Sequence, residues 1–303
     1  MHRPKVNEFY NTGYQDSGAD IAFNLMSGQS TSALTPTPSP DPAEQSTWCF
    51  PDTEEGILSA LEKHATHIWA NTILFAQHPL QISSSFDKYA ERVKVIAQPP
   101  QLVEQYDDKD FVNNLLRSTK NFTLPKAWTI SESSDLEDQI KRMKLPFPVV
   151  AKPIRGRGSF GVKVCHDTKH LLDHARSLFT DSSSIMVEEF LSGEEATVSV
   201  MPPSKEKPEY WSMPIVTRFN HADGIAPYNG TVAVTANSRV VTDKEFSEDL
   251  YYQKAAKECA EVARLLKVTA PIRIDVRRFS AKSEFALFDI NMKPVSSKGT
   301  RID

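Results

Sequence analysis

Cysteine is scarce in this chain of 303 residues: Cys49, Cys165 and Cys259 lie far apart, with no C-x-x-C pair. An odd, scattered set excludes a disulfide framework and fits a reducing compartment. Positive charge is not in excess either, since 35 Lys and Arg face 39 Asp and Glu for a formal net charge of −4. This balance gives no support to a nucleic acid or an anionic membrane as partner. No apolar run approaches the roughly 18 residues that cross a bilayer. The opening MHRPKVNEFY has no apolar core of a secretory signal. A cytoplasmic protein is the expectation. No internal repeat is visible.

Hydrophobic residues make up 40% and charged residues 24%, ordinary for a globular protein, and the length allows two or three domains. DIAFNLM (20–26) reads as a buried strand. The Ser/Thr/Pro-rich stretch 30–47 reads as a loop, because proline fixes φ and removes a donor. In 54–70, Ile57, Leu58, Leu61, Ile68 and Trp69 recur at roughly helical spacing, and 93–100 is a short strand entering a turn. In 107–120, Asp107 and Asp108 can cap a helix whose face is Phe111, Val112, Leu115 and Leu116. Ser134-x-x-Glu137 has capping-box spacing for a helix over 133–144. Asp167 can cap another over 168–179, and 251–267 is amphipathic. Strands are expected at 147–153, 160–166, 183–191, 194–201, 211–219, 231–236, 271–279 and 285–292. The fold class is α+β, with strand pairs predominating after residue 145.

Gly156, Gly158 and Gly161 stand in G-x-G-x-x-G spacing. A dinucleotide fold needs a helix after these glycines, but FGVKVCH alternates like a strand. A protein kinase needs H-R-D and D-F-G downstream, and a P-loop needs G-x-x-x-x-G-K-[ST]; neither is present. A plain hairpin whose glycines supply positive φ remains open. Lys152, on the strand entering the turn, instead favours a seat for an anionic phosphate. His166, His170 and His174 are spaced by four, but His166 ends a strand and Asp167 caps the next helix, which argues against a metal site.

Three later segments sharpen the phosphate reading. MVEEFLSGEEATVSV (186–200) sets acidic residues at the end of an apolar strand, suited to a base edge and ribose hydroxyls. IRID places Arg273 and Asp275 two apart, on one face of a strand. FDINMKP does the same for Asp289 and Asn291. Asp275, Asp289 and Asn291 offer hard oxygen ligands of the kind Mg²⁺ takes.

With DDK opening a helix, then PVVAKP and its glycine hairpin, VEEFLSGEEATVSV, IRIDV and DINMKP in order, residues 107–294 resemble the ATP-grasp superfamily. They are most similar to the D-alanine–D-alanine ligase family. The resemblance implies an ATP-grasp domain over 101–303. Its first ATP-binding subdomain would span about 107–191 and its metal and catalytic subdomain about 192–303. A partial α/β domain over 1–100 would precede it, with 30–47 as an insertion. It implies an ATP- and Mg²⁺-dependent carboxylate–amine ligase, Mn²⁺ being an alternative metal, that joins amino acids or small peptides through an acyl phosphate. A homodimer follows by the same analogy.

The implied roles are these. Lys109 and Lys152 contact phosphates. Gly156, Gly158, Ser159 and Gly161 form the phosphate lid. Glu188 faces the adenine amine, Leu191 offers its backbone to the base edge, and Met186 and Phe288 wall the adenine slot. Glu195 holds the ribose. Arg273 stabilises the transferred group, with Lys152 and Ser159 also assigned to catalysis. Asp275, Asp289 and Asn291 hold metal. The loop 218–234, with Arg218, His221, Asp223 and Tyr228, corresponds to the loop over the substrates. Against the family pattern the chain reads as short at both ends. The expectation is a nearly complete nucleotide site with an incomplete acceptor site, and the rival is a nucleotide-binding protein without ligase activity.

Overall fold

The computed structural model describes residues 15–28, 32–41, 43–72, 74–156, 159–221, 223–225 and 237–292. Two compact units meet in sequence between Val103 and Glu104.

The first unit holds α1 (Gln15–Ser27), α2 (Glu54–Glu62), β1 (His67–Trp69), α3 (Pro79–Ile82) and β2 (Lys94–Ile96). β1 and β2 pair in parallel. Thr53 caps α2 by accepting from the Gly56 N–H at 3.2 Å. Ile57 and Leu61, one turn apart, bury with Tyr89 against Ile68, Leu80 and Val93.

Two expectations fail here. DIAFNLM is helical, not a strand. A short apolar run does not distinguish the two states. A helix satisfies its own backbone, whereas a strand needs a partner. With Ile21 and Leu25 one turn apart, the helix leaves Phe23 56% and Met26 43% exposed. The helix over 54–70 ends at Glu62, because Lys63 caps it and His64 turns left-handed (φ 67°). Ile68 and Trp69 then belong to β1. The stretch 30–47 is coil and turn over its described residues, with one 3₁₀ turn at Gln45–Thr47.

α4 (Pro100–Tyr106) leads into the second unit and α5 (Lys109–Thr119). Asp108 caps α5, its carboxylate accepting from the Phe111 N–H at 2.9 Å. The buried face of α5 is Val112, Asn113 and Leu116, while Phe111 is exposed and stacks on Tyr106.

An antiparallel sheet follows, built from β3 (Ala127–Ser131), β4 (Val149–Pro153), β5 (Lys163–Cys165) and β6 (Ser184–Glu189) in the order β3-β6-β4-β5. α6 (Leu136–Met143) and α7 (Thr168–Leu178) share its core, where Ile140, Leu171 and Ala175 meet Ile130, Val149, Ala151, Ile185 and Val187. Each large side chain buried there contributes about 1.5–3 kcal/mol. Asp167 caps α7 as expected, accepting from the His170 N–H at 2.8 Å. The Ser134 box does not form: Asp135 occupies the N-cap without a side-chain cap bond, and its carboxylate pairs with Arg142.

The second sheet comprises β7 (Glu195–Met201), β8 (Trp211–Ser212), β9 (Val216–Arg218), β10 (Ser238–Val240), β11 (Ile272–Arg278) and β12 (Phe285–Asn291). Its order is β10-β9-β7-β11-β12, with β8 on β7. The expected strand at 231–236 lies outside the described residues. α8 (Asp243–Glu248) begins with a full Thr242–Glu245 capping box that the sequence reading passed over. α9 (Leu250–Leu265) packs on β7, β8, β11 and β12.

Alternation divides this sheet. Ala196, Val198, Val200, Ile272, Ile274 and Val276 are fully buried. The opposite face gathers the polar set: Glu195 is paired with Arg277 and Arg218, Asp275 with Thr197 and Asp289, and Arg273 with Asn291. Directly paired residues share a face, so the alternation itself assembles this group.

Candidate functional site

Lys152 and Met186 are register partners, as are Val150 and Glu188, so Lys152, Met186 and Glu188 share the face of the first sheet away from its core. Lys152 Nζ lies 2.5 Å from Glu188 Oε2, with the two side chains 5% and 4% exposed. It also donates to the Phe288 carbonyl at 3.0 Å. That carbonyl is available because β12 bulges there: Asp289 pairs with Asp275 and Leu287 with Val276, leaving Phe288 as the extra residue. The Phe288 ring centroid is 5.9 Å from the ammonium. Leu191 is buried just beyond β6. Lys109, at the first turn of α5, donates to the Gly156 carbonyl at 2.8 Å and stands 3.5 Å from Asp289 Oδ1. One lysine thus touches both the glycine turn and the acidic sheet.

The turn narrows at its far end. Ser159 and Gly161 have φ of 57° and 70°, and the Val162 N–H donates to the Ser159 carbonyl at 3.1 Å. Gly158 lies outside the described residues. The Gly161 carbonyl meets His174 Nε2 at 2.9 Å, so this histidine serves the turn. A Cβ on Gly161 would come within 2.8 Å of Leu178 Cδ2 and 3.0 Å of Pro153 Cγ. Gly161→Ala is expected to lower stability by about 1–2 kcal/mol, the cost of a left-handed non-glycine residue, measured by urea denaturation.

On the second sheet, Glu195 Oε2 is 2.9 Å from His221 Nε2 and 3.6 Å from Arg277 NH1. Arg277 donates to the carbonyls of Gly193 (3.1 Å) and Gly224 (2.5 Å) and lies over the Phe190 ring. Burial lowers the pKa of this guanidinium, and Glu195 partly offsets it. Within the loop at 218–234, His221 therefore bonds to Glu195; Tyr228 lies outside the described residues.

Asp275 accepts from Thr197 Oγ1 at 2.7 Å and from Arg273 NH2 at 3.0 Å. Asn291 Nδ2 donates to both Asp275 Oδ2 (3.3 Å) and Asp289 Oδ2 (3.2 Å). Burial opposes ionisation of Asp289, but Lys109, Lys152 and Arg273 outweigh it, and its carboxyl stays below the usual range. It is therefore ionised throughout the neutral range. Its Oδ1 is buried without a hydrogen bond. Two carboxylates and an amide, with one buried oxygen that meets Lys109 at 3.5 Å but accepts no hydrogen bond, fit a hard cation that keeps several waters. Among the described residues no group of three His, Cys, Asp or Glu could hold a metal, so this donor set needs its asparagine.

The sequence-derived residues within the described set thus fall on two facing groups of one unit, with Lys109 and Lys152 reaching across. Three participants were not foreseen. Asn113 bonds Glu188 and was hidden by an apolar helix pattern, although it lies one turn beyond Lys109. Thr197 was signalled only by its pairing with Asp275. Arg277, two residues beyond Asp275 on the same face, could have been found by alternation. Burial raises the Cys165 thiol to about 11 and the Cys259 thiol well above its ordinary value, so these two buried thiols are not activated as nucleophiles. Among the described residues no helix is long and apolar enough to cross a membrane.

Residues 118–297 match the family model described as D-ala D-ala ligase C-terminus. A D-alanine–D-alanine ligase of Bacillus anthracis is 27% identical over 172 residues, which cover 56% of this chain and 51% of that ligase. The chain spans about half, or less, of the length of the curated relatives it matches. A crystal structure of the Bacillus anthracis ligase complexed with ATP superposes with a TM-score of 0.53 at 18% identity, covering 80% of this chain and 73% of that one. An ADP complex of N5-carboxyaminoimidazole ribonucleotide synthetase gives 0.55 at 17% identity, covering 81% and 58%. The chain shares the fold of these solved ligase structures, and with the family model spanning more than half of its residues it belongs to the D-alanine–D-alanine ligase C-terminal family.

Proposed function

We propose that the chain carries an ATP-dependent carboxylate–amine ligase site that uses Mg²⁺. The observation that supports it most is the convergence of Lys109 and Lys152 with the Arg273, Asp275, Asp289 and Asn291 face inside one unit.

A carboxylate is a poor acceptor for amines until one oxygen becomes a leaving group. Transfer of the ATP γ-phosphoryl to a substrate carboxylate breaks the bond to the β–γ bridging oxygen, releases ADP and forms an acyl phosphate. The amine then attacks the carbonyl carbon, inorganic phosphate leaves, the nitrogen loses a proton, and an amide remains. Catalysis of this kind is mostly positioning and electrostatics. Lys109 and Lys152 neutralise phosphate charge, and Arg273 faces the charge that develops on the transferred group. Glu188 and Leu191 read the base edge, Met186 and Phe288 wall it, and Glu195 receives the ribose hydroxyls. The turn Gly156–Ser159–Gly161 closes over the phosphates and keeps water from the acyl phosphate. Mg²⁺, held by Asp275, Asp289 and Asn291, would offset phosphate charge. Residues 101–303 form the ATP-grasp domain in this reading, and the substrates are amino acids or small peptides.

The test is ADP release by the purified chain with Mg·ATP and pairs of amino acids, D-alanine pairs first because that is the substrate in the relatives' name. The expected result is release that depends on both an acid and an amine. Thermal stabilisation by Mg·ATP with no amino-acid stimulation would instead mark a nucleotide-binding protein without ligase activity.

A further inference from the structure

Asn113 is 6% exposed, a polar side chain on an otherwise apolar helix face. Its Nδ2 donates to Glu188 Oε1 at 3.1 Å and approaches Met186 Sδ at 3.4 Å. Glu188 Oε2 is held from the opposite direction by Lys152 at 2.5 Å. The amide must present its nitrogen here, because its oxygen against a carboxylate would pair two acceptors. Glu188 is therefore fixed by two donors, one on each oxygen, from two separate elements, α5 and β4.

We infer that Asn113 is a positioning residue that locks the Glu188 carboxylate in one plane, so that its remaining lone pairs discriminate between purine nucleotides. This rests on the nucleotide reading above. An ionised carboxylate only accepts. At ring position 6 adenine presents an exocyclic amine donor to it, whereas guanine presents a carbonyl oxygen there, which it repels. Discrimination requires that the carboxylate cannot rotate away. The terminal carboxylate torsion of glutamate is broad and two-fold, so nothing intrinsic holds it. With Lys152 alone, the group could turn toward the ammonium and relax its stand against guanine. Asn113 removes that freedom, and its place one turn beyond Lys109 ties base reading to the helix that also contacts the glycine turn.

The experiment measures dissociation constants of Mg·ATP, Mg·GTP and inorganic tripolyphosphate for wild type and Asn113→Leu, with Asn113→Ala replacing the leucine variant should that not fold. Hydrogen bonds to charged groups contribute about 1.5–3 kcal/mol, so the ATP-over-GTP ratio is expected to fall by about tenfold or more. Tripolyphosphate, which meets the lysines but has no base, is expected to bind unchanged. Asn113→Gln, which keeps the amide donor, is expected to recover part of the ratio. An unchanged ratio, or a parallel loss of tripolyphosphate affinity, overturns the inference. Wild-type chain that binds tripolyphosphate and neither nucleotide sinks the nucleotide reading first, and the inference with it.

Discussion

Lys152→Ala is expected to reduce ATP-driven ADP release by about 10²–10³-fold, the effect of removing one preorganised electrostatic group, and to destabilise the domain at the same time. The second effect follows from burial. Lys152 and Glu188 are 5% and 4% exposed and 2.5 Å apart. Truncating one leaves the other charge buried without its counter-ion, at a cost of about 3–5 kcal/mol. Loss of activity in the single variant would therefore be ambiguous. The double variant Lys152→Met, Glu188→Gln separates stability from the nucleotide role of the pair as a whole, because replacing both charges with uncharged groups of similar shape is close to neutral. It is expected to regain most of the stability in urea denaturation while ADP release remains lost. If ADP release returns with stability, Lys152 acts only as a structural ion pair, and its assignment to phosphate is wrong.

The same pair illustrates what the sequence made legible. Lys152 stood out because a lysine before a glycine turn is a local pattern, and Glu188 because acidic residues closed an apolar strand. Alternation within strands placed Arg273 beside Asp275 and Asp289 beside Asn291 before any geometry was known, and the sheet register aligns both pairs. Pairing between strands was not legible. Thr197 supports Asp275 only because β7 and β11 meet in that register, 78 residues apart in sequence. The bulge at Phe288 depends on a register shift that no single strand announces. Asn113 was read past because a helix pattern weighs apolar positions, and a buried amide is recognised only by what it meets. The segment 20–26 failed for a simpler reason: seven residues carry too few turns of a period to separate strand from helix.

Arg278→Ala is expected to cost about 3 kcal/mol, the low end for breaking a buried ion pair. Arg278 lies on the face of β11 opposite Arg273, Asp275 and Arg277 and is 2% exposed. It donates to Asp249 Oδ2 at 2.5 Å and the Ser283 carbonyl at 2.6 Å, and it lies 3.4 Å from Glu194 Oε2. Its guanidinium sits 4.1 Å from the Phe285 ring centroid and 5.1 Å from that of Tyr252. One side chain thereby joins β11, the cap of α9, the turn at 280–283 and the residue before Glu195. The low end applies because Glu194 and Asp249 are 31% and 37% exposed and can rehydrate. Tyr252 donates to Glu194 at 2.7 Å, and burial, then Glu194, raises its pKa from 10.0 to about 12. Because the folded value is the higher one, the neutral phenol contributes stability that is fully present below pH 10 and is lost as pH rises through about 12. Wild type should therefore lose urea resistance over that window, and Tyr252→Phe should lose less. A double-mutant cycle between Arg278→Met and Tyr252→Phe is expected to be non-additive, since both residues hold Glu194. Additive losses would mean that Arg278 stabilises the sheet through Asp249, the Ser283 carbonyl and the Phe285 ring, leaving Glu194 held by other contacts.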